Sequence, residues 1–223
     1  MTYSLNSIVI NPSSKSSPKN AVIICHGYGG DAKDISIVAN YWKTFLTDTL
    51  FVCPNAPEIC KVNPDGFQWF DLMDQTDDEI LSQSLIAENK LNKLIDEVKE
   101  INKFKINDIA LVGFSQGCML SLQTALKRKD EIGCLVGYSG KILNPDHLSK
   151  NIISRPEIYL MHGDTDQVVS LNFLLEAKDF FNKHKYKINI KIFKNCEHRI
   201  PIEGLSAGLQ FLKKYLYKQS IRM

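Results

Sequence analysis

The sequence predicts a single α/β domain over residues 1–223, with a mostly parallel central sheet and helices on both of its faces. From about residue 20 onward, short apolar runs alternate with segments of helical spacing, which is typical of a parallel α/β sheet. Most of the apolar runs are continuous rather than alternating, which indicates strands that are buried on both faces. No internal repeat and no linker rich in Pro, Gly or Ser divides the chain, so we expect one domain.

Seven apolar, β-branched runs are predicted to be strands, because each is short and several are followed by Gly, Pro or Asn. In chain order they are residues 7–10, 21–25, 50–53, 109–112, 132–136, 158–161 and 188–193.

The clearest helix is predicted at residues 77–104, where Leu, Ile and Val recur at three- and four-residue steps. Three acidic residues at its start favour the positive end of the helix dipole. Further helices are predicted at residues 32–46, 116–127, 171–183 and 202–217. Since only one helix and one strand are predicted between residue 115 and the loop that carries residue 166, we expect no large cap domain and an open site.

Composition excludes several classes of protein. The 223 residues are 44% hydrophobic and carry a net charge of +2, which is too small to indicate a nucleic-acid partner. No run approaches the ~20 apolar residues that span a membrane, and the N-terminus lacks the pattern of a secretory signal. Six irregularly spaced cysteines favour buried thiols over disulfides or a metal cluster. We therefore expect a cytoplasmic protein without a metal or other cofactor.

Residues 109–120, IALVGFSQGCML, place Ser115 between a predicted strand and a predicted helix. GFSQG fits G-x-S-x-G, the nucleophile elbow, in which side chains at the two glycine positions would collide with the neighbouring strand or helix. Such a turn exposes the serine hydroxyl at the C-terminal edge of the sheet and leaves the Gln116 amide at a helix N-terminus. The alternative is a plain strand-to-helix turn with a capping serine.

A serine nucleophile needs a base, and four histidines follow Ser115. His198 follows the last predicted strand and precedes a predicted helix, which places it at the same sheet edge as Ser115. The others are expected elsewhere: His147 in a turn or short helix, His162 at the end of a strand where it holds a loop, and His184 in solvent.

Two acids in HGDTDQVV, Asp164 and Asp166, compete for the role of orienting His198. Asp166 is favoured because it lies beyond the glycine turn and can reach back across the loop toward His198. Asp164 is closer to the strand and is expected to cap the turn through backbone amides.

The segment HGYGG, residues 26–30, follows the second predicted strand. Its glycines let the backbone approach a substrate closely, so the Tyr28 amide is predicted to join the Gln116 amide in an oxyanion hole. GYGGDA also fits the dinucleotide fingerprint G-x-G-x-x-A, but the next strand ends in CPNA, without the carboxylate that binds ribose.

In this order, HGYGG, GFSQG, HGDTDQVV and EHRIPIEGL resemble the phospholipase/carboxylesterase family of α/β hydrolases, which includes bacterial carboxylesterases and acyl-protein thioesterases. PNAPE and QWFDL are similar to segments that border the active site of that family. The resemblance implies the α/β-hydrolase fold, with Ser115 as nucleophile, His198 as base and Asp166 as its orienter. It also implies that the amides of Tyr28 and Gln116 form the oxyanion hole.

The resemblance implies hydrolysis of carboxylic esters or thioesters through an acyl-enzyme intermediate. A lysophospholipase, or a thioesterase that removes acyl groups from proteins, is the alternative, and a catalytically silent binding module on the same fold is an alternative of another class. The sequence does not separate acyl lipids, acylated proteins and small esters as substrates, nor a monomer from a homodimer. One departure from the family is Glu197, where close members carry glycine before the histidine.

An apolar cluster lies in the predicted loop at residues 54–74, which should border the open site. The cluster suits an acyl-chain groove, while core packing under a long loop is the alternative. Its members, which we predict to bind substrate, are Phe67, Trp69, Phe70, Leu72 and Met73.

Overall fold

Strands and helices alternate along residues 3–73 and 75–217, which are the residues that the computed structural model describes. In chain order the elements are β1 (Ser7–Ile10), β2 (Asn20–Cys25), α1 (Ala32–Trp42), β3 (Thr49–Pro54), β4 (Glu58–Cys60), β5 (Asn63–Gln68), α2 (Asp77–Asn102), β6 (Ile109–Phe114), α3 (Gln116–Lys127), β7 (Cys134–Tyr138), α4 (Pro145–Asn151), β8 (Glu157–Gly163), α5 (Asn172–Lys183), β9 (Asn189–Phe193) and α6 (Ile202–Leu216).

Seven of the strands form one sheet in the order β1-β3-β2-β6-β7-β8-β9. All neighbouring pairs are parallel except β1 with β3, which is antiparallel. Strands β2, β3 and β7 are buried along their whole length, because helices cover both faces of the sheet. The predicted fold class is confirmed.

Two apolar clusters lie on the two faces of this sheet. Helices α2, α3 and α5 contribute to one cluster, and α1 and α6 contribute to the other. Trp42 of α1 is fully buried, and its indole N–H donates a hydrogen bond of 2.9 Å to the Leu205 carbonyl of α6. These two helices therefore pack as one layer.

The predicted strands and helices are all present, with shifted ends. The helix predicted at 32–46 ends at Trp42, and the strand predicted at 132–136 lies at Cys134–Tyr138. Helix α2 begins at a capping box, in which the backbone N–H of Thr76 donates to the Glu79 carboxylate at 2.8 Å and the Glu79 N–H donates to the Thr76 hydroxyl.

The predicted loop at residues 54–74 is partly wrong, because β4 and β5 form a two-stranded antiparallel hairpin within it. Pro and Gly in β5 are poor strand formers, and they are tolerated because the hairpin lies outside the main sheet. A Cβ at Gly66 would lie 2.0 Å from the Gly29 carbonyl oxygen, so only glycine permits this approach. Residue 74 of the predicted loop lies outside the described residues.

The hairpin holds the segment that follows β2. The amide of Gly29 donates to the Phe67 carbonyl at 2.9 Å, and the amide of Phe67 donates to the Gly30 carbonyl at 2.8 Å.

Between α3 and β8 the described chain contains only β7 and the seven-residue helix α4, so no large cap domain covers the C-terminal edge of the sheet. Among the described helices, none has the length and hydropathy needed to cross a membrane.

Candidate active site

Ser115 occupies the sharp turn between β6 and α3. Its φ of 52° and ψ of −118° lie in a region that favours glycine, so the backbone is strained there. The turn is held by a hydrogen bond of 2.8 Å from the Ser115 amide to the Tyr138 carbonyl. A Cβ at Gly113 would lie 2.4 Å from the Gly117 carbonyl oxygen, and one at Gly117 would lie 2.3 Å from that of Cys25. The glycines of the elbow are therefore required by packing.

A continuous chain of hydrogen bonds joins three side chains that are far apart in sequence. The hydroxyl oxygen of Ser115 lies 3.0 Å from Nε2 of His198, and Nδ1 of His198 lies 2.8 Å from Oδ2 of Asp166. An ionised carboxylate only accepts hydrogen bonds, so Nδ1 carries the proton of the neutral ring and Nε2 is free to accept the serine proton. The structure thus brings the predicted nucleophile, base and acid into contact.

The carboxylate of Asp166 is buried and strongly hydrogen-bonded. Its other oxygen, Oδ1, accepts from the amides of Val168 at 2.9 Å and Val169 at 2.8 Å. Burial opposes ionisation, but the hydrogen bond from His198 and the two amides outweigh it, so the pKa of Asp166 lies below its usual value. The acid is therefore ionised at neutral pH and fixed in orientation.

Asp164, the competing acid, does not contact His198. Its side chain is exposed. Oδ1 of Asp164 accepts a hydrogen bond of 3.4 Å from the Cys196 amide, and this contact braces the loop before the histidine. A Cβ at Gly163 would lie 2.0 Å from the Cys196 carbonyl oxygen, so that loop packs directly on the end of β8.

The remaining histidines have other roles. Nε2 of His162 donates to the Val169 carbonyl at 2.7 Å, and burial lowers the pKa of His162, so a neutral ring holds the loop of Asp166. His147 lies on α4, and Nδ1 of His184 contacts the Phe180 carbonyl at 2.8 Å at the end of α5.

The segment with Tyr28 is anchored by His26, a role that the sequence did not suggest. Nδ1 of His26 donates to the Gly27 carbonyl at 2.7 Å, and Nε2 accepts from the Ala56 amide at 2.9 Å. Burial lowers the pKa of His26, which keeps the ring in this neutral form. Tyr28 and Ser115 line the same cavity, and Gln116 follows Ser115 as the first residue of α3.

The side chain of Gln116 is a second feature that sequence reasoning missed. It is fully buried, its carbonyl accepts from the Trp69 amide at 2.9 Å, and its amide donates to the Phe70 carbonyl at 2.7 Å. The residue that follows the serine therefore fastens the end of the hairpin segment to the elbow.

Gln116→Ala is expected to lower the free energy of unfolding by about 2–4 kcal/mol, because two buried backbone groups lose their partners. The backbone amide of residue 116 is kept, so kcat on a small ester should change little. KM should rise, because the segment that leads to Leu72 in the cavity lining is held less firmly. Urea unfolding and steady-state kinetics measure the two effects. Gln210→Ala, at an exposed position of α6, is the control, and an equal loss of stability in both variants would contradict the prediction.

Of the five predicted substrate-binding residues, only Leu72 lines the cavity next to Ser115. Trp69 is 1% exposed and Phe70 is 0% exposed, and both belong to the core, so their assignment to an acyl groove is wrong. They turn inward because Gln116 holds their backbone and because the Trp69 indole N–H donates to the His26 carbonyl at 3.0 Å. Two others also lie outside the cavity lining: Phe67, which packs against the core, and Met73, which is exposed.

Asp71, buried beside Leu72, was also missed. Its carboxylate accepts from Lys61 Nζ at 2.5 Å, from the Met73 amide at 3.0 Å and from the Tyr28 hydroxyl at 3.3 Å. The hydrogen bond from Lys61 is the main reason why the pKa of Asp71 lies below its usual value. This carboxylate ties the segment around Leu72 to the hairpin and to Tyr28.

The openings that meet at His198 include two that are lined mostly by apolar residues. One is a cavity of about 340 Å³ whose lining is mostly apolar and includes Gly27, Tyr28, Leu72, Phe114, Ser115, Met119, Lys141, Val168, Val169, Phe173 and His198. The other, of about 400 Å³, shares Gly27, Tyr28, Phe114 and His198 with the first. It continues along Ile35, Ile37, Val38, Ile200 and Leu205, and its lining also includes the charged residues Asp34 and Arg199. The site can therefore hold a carbonyl at Ser115 with one apolar limb on each side.

Comparison with known proteins gives consistent matches along the chain. A family model described as Phospholipase/Carboxylesterase matches residues 6–217. Acyl-protein thioesterase 1 of Saccharomyces cerevisiae is 31% identical, with 89% of this chain and 93% of that protein covered. Acyl-protein thioesterase 1 of Kluyveromyces lactis is 27% identical, with 93% and 97% covered. The crystal structure of esterase PE8 superimposes with a TM-score of 0.90 at 31% identity, covering 95% of this chain and 99% of that one.

Proposed function

The chain belongs to the phospholipase/carboxylesterase family of α/β hydrolases, and we propose that Ser115, His198 and Asp166 form the triad with which it hydrolyses esters or thioesters. The observation that carries this proposal is the hydrogen-bonded chain from the Ser115 hydroxyl through the His198 ring to the Asp166 carboxylate at the edge of an apolar cavity. Hydrolase activity on such bonds agrees with the thioesterases and esterases to which the chain is similar.

In the first half of the reaction, the Ser115 oxygen attacks the carbonyl carbon of the substrate while Nε2 of His198 takes the hydroxyl proton. The negative charge on the carbonyl oxygen is stabilised by the amides of Tyr28 and Gln116, each contributing about 3–4 kcal/mol to the barrier reduction. Asp166 stabilises the charged ring. When the intermediate collapses, the alcohol or thiol leaves with the proton from His198, and the acyl group stays on the serine.

In the second half, water takes the place of the leaving group. His198 removes a proton from the water as it attacks the acyl carbon, and the same proton then returns to the Ser115 oxygen as the acid leaves. Because no large cap covers the site among the elements that the structure describes, a bulky leaving group can remain outside the protein. This openness supports acyl lipids and acylated proteins as substrates, beside small esters.

We place this reaction in the cytoplasm. Five cysteines are buried free thiols, which suits a reducing compartment: Cys25, Cys53, Cys60, Cys118 and Cys196.

A panel of p-nitrophenyl esters of increasing chain length, run beside an acyl thioester, tests the proposed reaction. We expect turnover of both bond types, with kcat/KM rising from the acetyl to the longer esters because the cavity lining is apolar. A fluorophosphonate probe should label the protein, and Ser115→Ala should abolish labelling. A protein that is folded but inert to the whole panel and to the probe would be a binding module instead.

A further inference from the structure

One cation lies inside the catalytic cavity. Lys141 lines it together with Ser115 and His198, and among the described residues of the lining it is the one side chain with a fixed charge. It is half-buried, while the rest of the lining is apolar apart from the reacting groups and Tyr28. A charge in such surroundings acts on a ligand more strongly than a charge on an open surface, because less water screens it.

The backbone fixes where this lysine lies. Lys141 follows β7, and a Cβ at Gly140 would lie 3.3 Å from the Ser115 carbonyl oxygen, so the chain passes beside the nucleophile just before Lys141. The ammonium nitrogen lies 4.9 Å from the ring centroid of Phe173, which also lines the cavity. The cation is therefore held against the cavity wall by a cation–π contact.

The described carboxylates do not neutralise this charge. Asp166 is on the far side of the His198 ring from Ser115, and Asp71 pairs with Lys61. A neighbouring depression shares Phe173 and contains Asp146, Glu176 and Asp179, but no ion pair joins Lys141 to them or to another carboxylate in residues 3–73 and 75–217. The ammonium is available to a ligand in the cavity.

We propose that Lys141 binds an anionic group of the substrate, so that the enzyme prefers esters or thioesters with a carboxylate or phosphate on the limb that enters this cavity. The proposal rests on the proposed function of the Ser115 site. Hydrogen bonds between charged partners are about twice as strong as neutral ones, and one such contact accounts for a preference of roughly tenfold.

The test uses two matched pairs of substrates. The mono-p-nitrophenyl ester of adipic acid is compared with p-nitrophenyl hexanoate, which has the same chain with a methyl group in place of the carboxylate. The hexanoyl ester of 4-hydroxybenzoate is compared with that of 4-hydroxybenzamide, which places the charge on the leaving group instead. In one pair we expect kcat/KM roughly tenfold higher for the anion, and that pair identifies the limb that reaches Lys141.

Lys141→Met should reduce the ratio of kcat/KM between the anionic and the neutral member of that pair to about one, while Lys141→Arg should retain most of the preference. Lys178→Met makes the same change of charge at an exposed position of α5 outside the cavity lining, and should keep the preference. High salt should weaken the preference of the unmodified protein, which provides a readout even if Lys141→Met fails to fold.

A preference that is absent in both pairs, or that persists unchanged in Lys141→Met, would overturn the role of Lys141. An equal fall in kcat/KM for charged and neutral substrates in Lys141→Met would also overturn it. That result would mean that Lys141 only packs against Phe173 in the cavity wall. Both outcomes leave ester hydrolysis intact. Failure of the proposed function is different, because then neither member of either pair is turned over.

Discussion

Ser115→Ala is expected to lower kcat on every ester and thioester by a factor of about 10⁴–10⁶ while the protein stays folded. The substitution removes the oxygen that lies 3.0 Å from Nε2 of His198 and would form the acyl-enzyme intermediate. It leaves the hydrogen bond from the amide of residue 115 to the Tyr138 carbonyl in place. Hydrolysis rates with p-nitrophenyl butyrate and urea unfolding of the same preparation measure both halves of the prediction.

Ser115→Gly is the matched control for strain. Both variants lack the hydroxyl, but glycine alone adopts a φ of 52° with a ψ of −118° without a steric cost. We expect the free energy of unfolding of Ser115→Gly to be about 1 kcal/mol higher than that of Ser115→Ala. Glycine relieves the backbone strain, and its greater freedom in the unfolded chain offsets part of that gain. Retention of more than a few per cent of the activity in either variant would mean that another group is the nucleophile.

The fold was largely predictable from local pattern. Strands such as β2 and β3 are buried on both faces, so their sequences are continuously apolar, and the long stripe of α2 repeats at three- and four-residue steps. The hairpin of β4 and β5 was not predictable in this way. Its β5 strand contains Pro64, Asp65 and Gly66, and it forms because the backbone of this segment pairs with Gly29 and Gly30 rather than because its residues favour strands.

The positions of Ser115 and His198 followed from topology, because both come after strands whose C-terminal ends meet at one sheet edge. The preference for Asp166 over Asp164 followed from its distance beyond the turn, and the structure places Asp166, not Asp164, against the histidine. These residues carry local signals, since each stands beside a strand end or a glycine turn. Their catalytic roles remain predictions that the variants test.

The residues that hold the site carry no such signal. Gln116 contacts the backbone of Trp69 and Phe70, and Asp71 contacts the Tyr28 hydroxyl. These partners are more than 40 residues away in sequence, and nothing near Gln116 or Asp71 indicates them. The same holds for Trp69 and Phe70, whose apolar side chains suit a groove and a core equally well. The contacts with Gln116 and with the His26 carbonyl decide between the two, and both are products of the tertiary fold.

Asp166→Asn is expected to lower kcat by a factor of about 10⁴, almost as much as the loss of the nucleophile, although the two side chains have nearly the same shape. Oδ1 of Asp166 accepts from the amides of Val168 and Val169, so the oxygen of the asparagine must occupy that place. The NH₂ group of the asparagine then faces Nδ1 of His198, where Oδ2 lies 2.8 Å away in the unmodified protein.

An NH₂ group donates, so Nδ1 of His198 must become the acceptor and the ring proton moves to Nε2. Nε2 then points a hydrogen at the Ser115 oxygen and cannot take the serine proton. The opposite orientation of the asparagine is disfavoured because it turns the NH₂ group toward two amide donors, those of Val168 and Val169. The protein should therefore fold with its geometry intact and carry the histidine in the unproductive tautomer, which nitrogen-15 NMR of the imidazole reports directly.

Asp164→Asn is the matched control, since it makes the same chemical change two residues away at an exposed carboxylate that only braces the loop. We expect its kcat to stay within about twofold of the unmodified value. If Asp164→Asn lost activity as severely as Asp166→Asn, the loss would reflect general disturbance of the loop rather than the tautomer of His198. If Asp166→Asn remained active, the carboxylate would have no part in holding the base, and catalysis would depend on Ser115 and His198 alone.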